Sequence, residues 1–511
     1  MGMHLAVGGD CKGAPLRSSF LDMRNPTALF WVFVSLHGIV WTLVPTLSQP
    51  NGHRDVIELL NWARHPQWGY WKHPPLQAWV MELFVRMAGG GLWGIYLASQ
   101  LVISACFWAV WRFAHDYLEP PYALLSVFLL EGILYYNYNS PKFIHDTLQL
   151  PLWALTVLFL WLALKSGRVR YWLMCGVAIG LGLLSKYSIV FLLAPLSIFM
   201  LMNADARRHF ATPGPYITAA TAALIVAPHA IWLFENDFTT VTYGLGRAAG
   251  QGQFTDHVVN PLIFAFNQAL TLVPVMIMVG LLMFRSTPNR QEVASASFPR
   301  AFLLTAALGP FVAYLLTSAI TGFQVRSGWG TPLWSFLGVF ILYHLRPALT
   351  DKAVRRFSYA FLSFAAIWVV VFVGHFALGP TLTGKVKPEH FPGKSIAAYV
   401  TAQSAKHYGT RLPVVGGDQW LSENVGFYSP DRPDVYADLD QKKNPWVNDE
   451  AFRQRGGILI WDAETDGSAL PDRWRQRFPG ALVQPTVGFG WQTSANVPEV
   501  KIGWAFVGPA P

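Results

Sequence analysis

"NGHRDVIELLNWARHPQWGYWKHPPLQAW", residues 51–79, follows directly on an apolar run and is too polar to cross a bilayer. It is also too aromatic for an ordinary loop. From Asp55 the pattern predicts a short amphipathic helix lying along a membrane surface. Ile57, Leu60 and Trp62 offer its apolar contacts, while Asp55 and Glu58, three apart, share one face. Trp62, Trp68, Tyr70, Trp71 and Trp79 suit the headgroup zone, where aromatic rings are favoured. Lys72 and His73 precede Pro74 and Pro75, whose fixed φ makes a rigid entry into the next helix. The plainer readings are an N-cap for Asp55 and an inert interfacial belt for the aromatics. Neither accounts for carboxylates, a cation and a stiff aromatic platform standing together.

The rest of the chain says what this loop is attached to. The 511 residues are 53% hydrophobic and 13% charged, against about 25% charged in soluble domains, and the mean hydropathy is +0.32. Apolar runs of roughly membrane-crossing length recur at 26–46, 91–112, 121–136, 147–164, 170–185, 187–202, 215–234, 259–284, 300–320, 331–346 and 355–378. The expected architecture is a polytopic α-helical membrane protein of about eleven transmembrane helices. The first apolar run is longer than the core of a cleaved leader, and "LVPTLSQP" (43–50) lacks a small-x-small cleavage site, so it reads as a signal anchor.

The net charge of +9 and pI near 9.4 do not point to nucleic acid, because the basic residues fall in alternate loops. Lys12, Arg17 and Arg24 precede the first run; Lys165, Arg168 and Arg170 follow the fourth; Arg207 and Arg208 the sixth; Arg285, Arg290 and Arg300 the eighth; Arg346, Lys352, Arg355 and Arg356 the tenth. The positive-inside rule makes those loops and the tail 1–25 cytoplasmic. Segments 47–90, 137–146, 235–258 and 321–330, and everything after 378, then lie outside. Cys11, Cys106 and Cys175 form neither a disulfide framework nor a metal-ligand spacing.

After "GPTLTGKVKPEHFPGK" (379–394) the composition turns polar. "SIAAYVTAQSAKHYG" (395–409) has helical periodicity, "LPVVGGD" (412–418) and "GGILIWD" (456–462) read as strands, and "LPDRWRQRF" (470–478) as a helix. A small external α/β domain over 379–511 is expected. Asp418 and Asp462 end its strands, and the turn-forming habit of aspartate explains them better than a site does.

Further external residues extend the cluster. "YYNYNSPKFIHDTLQLPLW" (135–153) brings Tyr135, Tyr136, Tyr138, Lys142, His145 and Asp146 to a helix mouth. "GLLSKYS" (182–188) adds Lys186 and Tyr187, and "TGFQVRSGWGTPLW" (321–334) adds Arg326 and Trp329. Lone interfacial lysines usually snorkel. These cations share one side with Asp55, which suits an anionic lipid headgroup such as a phosphate.

An external loop holding an acidic pair, followed by "GYWKHPPL" (69–76) and a membrane helix, resembles the GT-C glycosyltransferases of the bacterial protein-mannosyltransferase-like group. Their kin include the aminoarabinose transferase of lipid A modification and the rhizobial lipopolysaccharide galacturonosyltransferases. "GLLSKYS", "APHAIWLFENDF" (227–238) and "NVGFYSPDRPDVY" (424–436) are similar to that group too. The resemblance implies a bacterial inner-membrane glycosyltransferase with a polyprenyl-phosphate sugar donor and a lipid or glycolipid acceptor, lipid A or lipopolysaccharide core, on the outer face. It implies an inverting transfer with Asp55 or Glu58 as base and Asp146 as a secondary acid. Lys72, His73, Tyr70, Lys142, Lys186 and Arg326 would hold the donor phosphate. Many relatives carry the two acids side by side, whereas Val56 and Ile57 separate them here, so which is the base stays open. His53, Asp55 and Glu58 are the residues able to take a divalent metal, with no tight ligand spacing to require one. The other classes compatible with the chain are a lipid-linked sugar transporter or flippase, and a protein O-glycosyltransferase. A transporter would place ionisable groups at mid-membrane and repeat its halves, and neither pattern is seen.

Overall fold

A computed structural model describes residues 25–286 and 297–508, together with Met23. Lys12, Arg17, Arg24, Arg290 and Cys11 lie outside the described residues. The chain is helical from Pro26 to Thr383, and a five-stranded sheet with its own helices follows.

Among the described residues seven helices are long and apolar enough to cross a membrane: Pro26–Ser48, Trp93–Ala114, His145–Ser166, Gly214–Glu235, Asp256–Met283, Ser297–Thr321 and Asp351–Thr383. At 1.5 Å per residue each exceeds about 30 Å of hydrocarbon. Tyr187–Met202 with Ala204–Ala211, bent by 90°, makes an eighth if taken as one broken span. Helix length therefore accounts for seven or eight of the eleven expected crossings. Val169–Ser185 is an apolar helix of 17 residues. The runs at 121–136 and 331–346 contain the nine-residue α-helices Pro120–Phe128, continued by a 3-10 turn Leu129–Gly132, and Leu337–Leu345. Those two pack on each other, and Gly338 makes the approach close: a Cβ there would lie 2.5 Å from the Ser126 carbonyl oxygen. The irregular backbone beside them is tolerated because it is buried in protein rather than in lipid. Tyr136 is fully buried there, its hydroxyl 2.8 Å from Ser335 Oγ, and Tyr135 is buried as well, so neither sits at an open mouth as expected.

Helix His145–Ser166 is the axis of the bundle, 89% buried along its apolar window, whereas Gly214–Glu235 is only 11% buried and turns its apolar side outward. That axial helix begins with His145 and Asp146, so its first turn sits under the loops. Cys106 and Cys175 are free and buried.

In the sheet, β1 (Val414–Gly417), β2 (Asp434–Ala437) and β3 (Gly457–Asp462) are parallel, with β1 in the middle. β5 (Val500–Val507) runs antiparallel to β3 and carries β4 (Leu482–Phe489) at the edge, giving the order β2-β1-β3-β5-β4. Helix Gly393–Tyr408 matches its periodicity, but the run 470–478 is helical only over Asp472–Arg475. Asp418 caps helix Gln419–Tyr428 by accepting from the Leu421 amide, and Asp462 caps Ala463–Asp466, so both do the work of turn residues.

Candidate active site

The loop after the first span folds as helix Arg54–Ala63, a tight turn and helix Leu76–Met87. His53 caps the first helix: its Nδ1 accepts from the Asp55 amide at 3.2 Å. Asp55 therefore stands in the first turn with its carboxylate free to face outward. The helix does not lie on a membrane surface with one side exposed. Every residue from Val56 to Ala63 is buried, because helix Leu76–Met87 and, from the sheet segment, helix Gln419–Tyr428 both pack against it. Asn61 Nδ2 donates to the Glu423 carbonyl at 3.0 Å, the Arg54 guanidinium lies 5.3 Å from the Trp420 ring centroid, and His65 stacks on Trp446. Polar sequence over an apolar helix thus reflects a protein cover.

The turn is closed by mutual backbone bonds between Tyr70 and His73, each amide donating to the other's carbonyl. Trp71 and Lys72 are thereby presented at its tip. Gly69 is required just before it, since a Cβ would lie 2.3 Å from the Trp232 ring. The aromatics do not form one belt. Trp62 and Tyr70 are buried and stacked 5.2 Å apart, whereas Trp68 is exposed. The Tyr70 hydroxyl donates to the His65 carbonyl at 3.1 Å, so its place is in the packing of the turn and not among the cations.

Three acid–lysine pairs gather around this turn. Lys142 Nζ lies 3.0 Å from Asp55 Oδ2; Lys72 Nζ reaches both Glu58 oxygens at 2.7 and 2.8 Å; Lys186 Nζ lies 2.5 Å from Asp146 Oδ1. The His73 and His145 rings, 3.8 Å apart, join the Lys72 pair to the foot of the axial helix. Burial first, then the charges of His145, Lys186, Lys72 and Arg247, push His73 well below the usual histidine value, so it stands as a neutral imidazole. Aromatic faces flank the ammonium groups, Trp71 at 4.4 Å from Lys72 and Trp329 at 5.4 Å from Lys186. Arg326 is exposed, three residues before that Trp329.

The two loop acids differ in environment. The Asp55 side chain is 50% exposed and the Glu58 side chain 8%. Burial works against ionisation of Asp55, but Lys142, with His53 and Lys72, outweighs it and holds the carboxyl below the usual range. Burial dominates at Glu58 and raises it despite Lys72. His53 is pushed down to about 4 by burial and by Lys142, so it is neutral at pH 7. Among the described residues no group of three or more His, Cys, Asp and Glu is arranged to hold a metal ion. Asp55 and Glu58 each face a lysine.

Sequence reading missed four participants. Tyr243 lies against Trp71 and His73, Arg247 follows it on helix Thr239–Ala248, and Gln419 and Glu423 come from the sheet segment. No spacing signal links positions 58 and 419. Only the packing of two helices reveals that pair.

Residues 72–232 match the model of the dolichyl-phosphate-mannose-protein mannosyltransferase family. The lipopolysaccharide core galacturonosyltransferase RgtA of Rhizobium johnstonii is 24% identical over 469 residues, covering 86% of this chain and 89% of that protein. RgtB of the same organism is 23% identical over 467 residues, covering 88% and 90%. The fold is that of the crystal structure of ArnT from Cupriavidus metallidurans bound to undecaprenyl phosphate, with a TM-score of 0.63 at 13% identity over 94% of this chain and 99% of that one. As the motifs implied, the chain is similar to membrane glycosyltransferases in sequence and shares its fold with one of them.

Proposed function

We propose that this membrane glycosyltransferase moves a sugar from a polyprenyl-phosphate donor to a lipid A or lipopolysaccharide-core acceptor on the outer face of a bacterial inner membrane, with inversion and with Asp55 as general base. The acceptor class rests on the curated relatives, and the donor class on the undecaprenyl phosphate of the ArnT structure. The observation that carries the residue roles is the half-exposed, ionised Asp55 carboxylate beside Lys142, with Lys72 near enough to favour its charge.

In the reaction, an acceptor hydroxyl gives its proton to Asp55 as its oxygen bonds the anomeric carbon. The bond from that carbon to the phosphate oxygen breaks on the opposite face, and its electron pair leaves with the polyprenyl phosphate. Lysines already in place stabilise charge growing on the departing phosphate without reorganisation. Lys72 and Lys186 suit that role, with Lys142 and Arg326 next. Glu58 is a poorer base, because its oxygens are occupied by Lys72 and by Gln419 Nε2 at 2.9 Å. Its role is to hold Lys72. Neutral His73 supplies a hydrogen-bonding imidazole beside Lys72, and Asp146 anchors Lys186.

The test uses membranes of a host lacking the gene, complemented with the native chain, Asp55→Asn or Glu58→Gln, and reads release of free polyprenyl phosphate together with the mass of extracted glycolipids. Native protein is expected to release the lipid phosphate only with acceptor present, and Asp55→Asn to do so about 10²–10⁴-fold more slowly, the usual size of a general-base contribution. Movement of a lipid-linked sugar across vesicles without transfer would overturn the reading in favour of a transporter.

A further inference from the structure

Glu423 is an acid with no cation beside it. It is 4% exposed, on the helix Gln419–Tyr428 that the sheet segment lays over the loop helix. Among the described residues its charged or titratable neighbours are Glu58 and, further off, Lys72 and Asp438. One side chain stands between the two glutamates: Gln419 Nε2 donates to Glu58 Oε1 and to Glu423 Oε1, both at 2.9 Å. The primary amide has two N–H groups, so one nitrogen serves both acids at once. The Gln419 backbone is fixed as well, its amide donating to Asp438 Oδ1 at 3.2 Å.

This arrangement has a direction. Lys72 spends two contacts on Glu58 and none on Glu423. Burial raises both acids, and Glu58 charge raises Glu423 further, so the proton of the pair sits on Glu423 and the negative charge on Glu58. A buried acid left without a cation is retained at low cost only in its neutral form. Gln419 then bridges an anion facing the site and a neutral acid behind it.

We propose that Gln419 and Glu423 are positioning residues for the transfer: the sheet segment reaches into the reaction centre through them, fixing Glu58 and, through Glu58, the ammonium of Lys72 where the departing phosphate needs it. The segment after residue 393 is thereby part of the catalytic unit. The inference rests on the proposed role of Lys72 and deepens it.

The experiment measures sugar transfer by purified full-length protein with a polyprenyl-phosphate sugar and lipopolysaccharide acceptor, as kcat and KM from pH 5 to 9, for four variants. Gln419→Leu removes the bridge and is expected to lower kcat at least tenfold while the KM for acceptor changes little. Glu423→Gln copies the neutral acid and is expected to keep kcat within threefold. Gln419→Glu puts a third acid between two others, with Asp55, Asp418 and Asp438 adding repulsion, and Lys72 on Glu58 and Lys443 on Asp438 as the balancing cations. It bridges only when protonated, so its activity is expected to fall as pH rises across the range where native activity is flat. Glu423→Lys, which forces a charge into the pair, is expected to be inactive.

Native-like kcat and an unaltered pH profile for Gln419→Leu and Gln419→Glu, with native protein active in the same assay, would overturn the inference and leave the glycosyltransferase reading intact. An inactive native protein under every donor tried would instead count against that reading. Loss in Gln419→Leu through misfolding is separated by the melting temperature in detergent and by the Gln419→Glu profile, because a protein damaged only in packing does not recover at low pH.

Discussion

At the scale of single residues, the two loop acids are told apart by what surrounds them. Asp55 owes its low pKa to Lys142 above all the groups that oppose burial. A carboxylate held below its ordinary value stays ionised until the pH falls through that lowered value, so the proposed base is ionised across the neutral range and protonated only in acid. Lys142→Met removes the main lowering influence and leaves burial opposed only by His53 and Lys72. The acid limb of the pH–rate profile is expected to move to higher pH in that variant, with the plateau largely kept; an unmoved limb would mean that Asp55 is not the group being titrated. The ion pair contributes stability with the same sign, present above the unfolded pKa and lost as pH falls, but its half-exposed site makes that contribution small. The gathering of Asp55, Glu58, Lys72, Lys142 and Lys186 was legible because charge near a membrane is costly and tends to be paired. The neutrality of His73 and the inward turn of the Tyr70 hydroxyl were not, since both depend on burial that neighbours in the chain do not encode.

At the scale of elements, the site depends on two close approaches. Helix Gln419–Tyr428 meets helix Arg54–Ala63 at Gly426, where a Cβ would lie 2.2 Å from Val435 Cγ2 and 2.5 Å from Asn61 Oδ1. Gly426→Ala is therefore expected to destabilise the protein by about 1–3 kcal/mol, the usual cost of overpacking. It is also expected to reduce transfer, because Glu58 and Gln419 are drawn apart. Melting temperature and transfer rate measured on one preparation check both effects, and a variant unchanged in both would contradict the packing described. Helical periodicity located the loop helix but not helix Gln419–Tyr428, and the loop helix was expected along a membrane surface. Its apolar residues instead pack on Ala78, Met81, Val85, Ile95 and Leu148, and its polar Asn61 meets another helix some 360 residues later in the chain, a pairing to which amphipathicity is blind. The nine-residue helices at Pro120–Phe128 and Leu337–Leu345 illustrate the same limit. Hydropathy counts apolar length, and it does not register that buried backbone is free to leave the helix.

At the scale of the whole molecule, the alternating basic loops imply an orientation, with the acid–lysine cluster and the sheet segment outside. A cysteine introduced at Gly467, exposed beside β3 on a chain lacking its native cysteines, is expected to react with a membrane-impermeant maleimide in intact spheroplasts, and one at Arg170 only after lysis. The reverse pattern would put the site on the cytoplasmic face and away from an external acceptor. The fold class was readable from composition, and the relationship to GT-C enzymes from "GYWKHPPL" beside an acidic pair. The joining of the sheet segment to the catalytic loop emerges only in three dimensions.

The central claim is that this chain transfers a sugar with Asp55 as base, and the most direct measurement is the mass of lipopolysaccharide and glycolipid from a host lacking the gene, complemented with native protein or Asp55→Asn at equal membrane levels. A sugar-sized increment with the native chain that disappears with Asp55→Asn is the expected result, and its mass names the sugar. An increment that persists undiminished in Asp55→Asn would contradict the claim and move the base to another acid of the cluster.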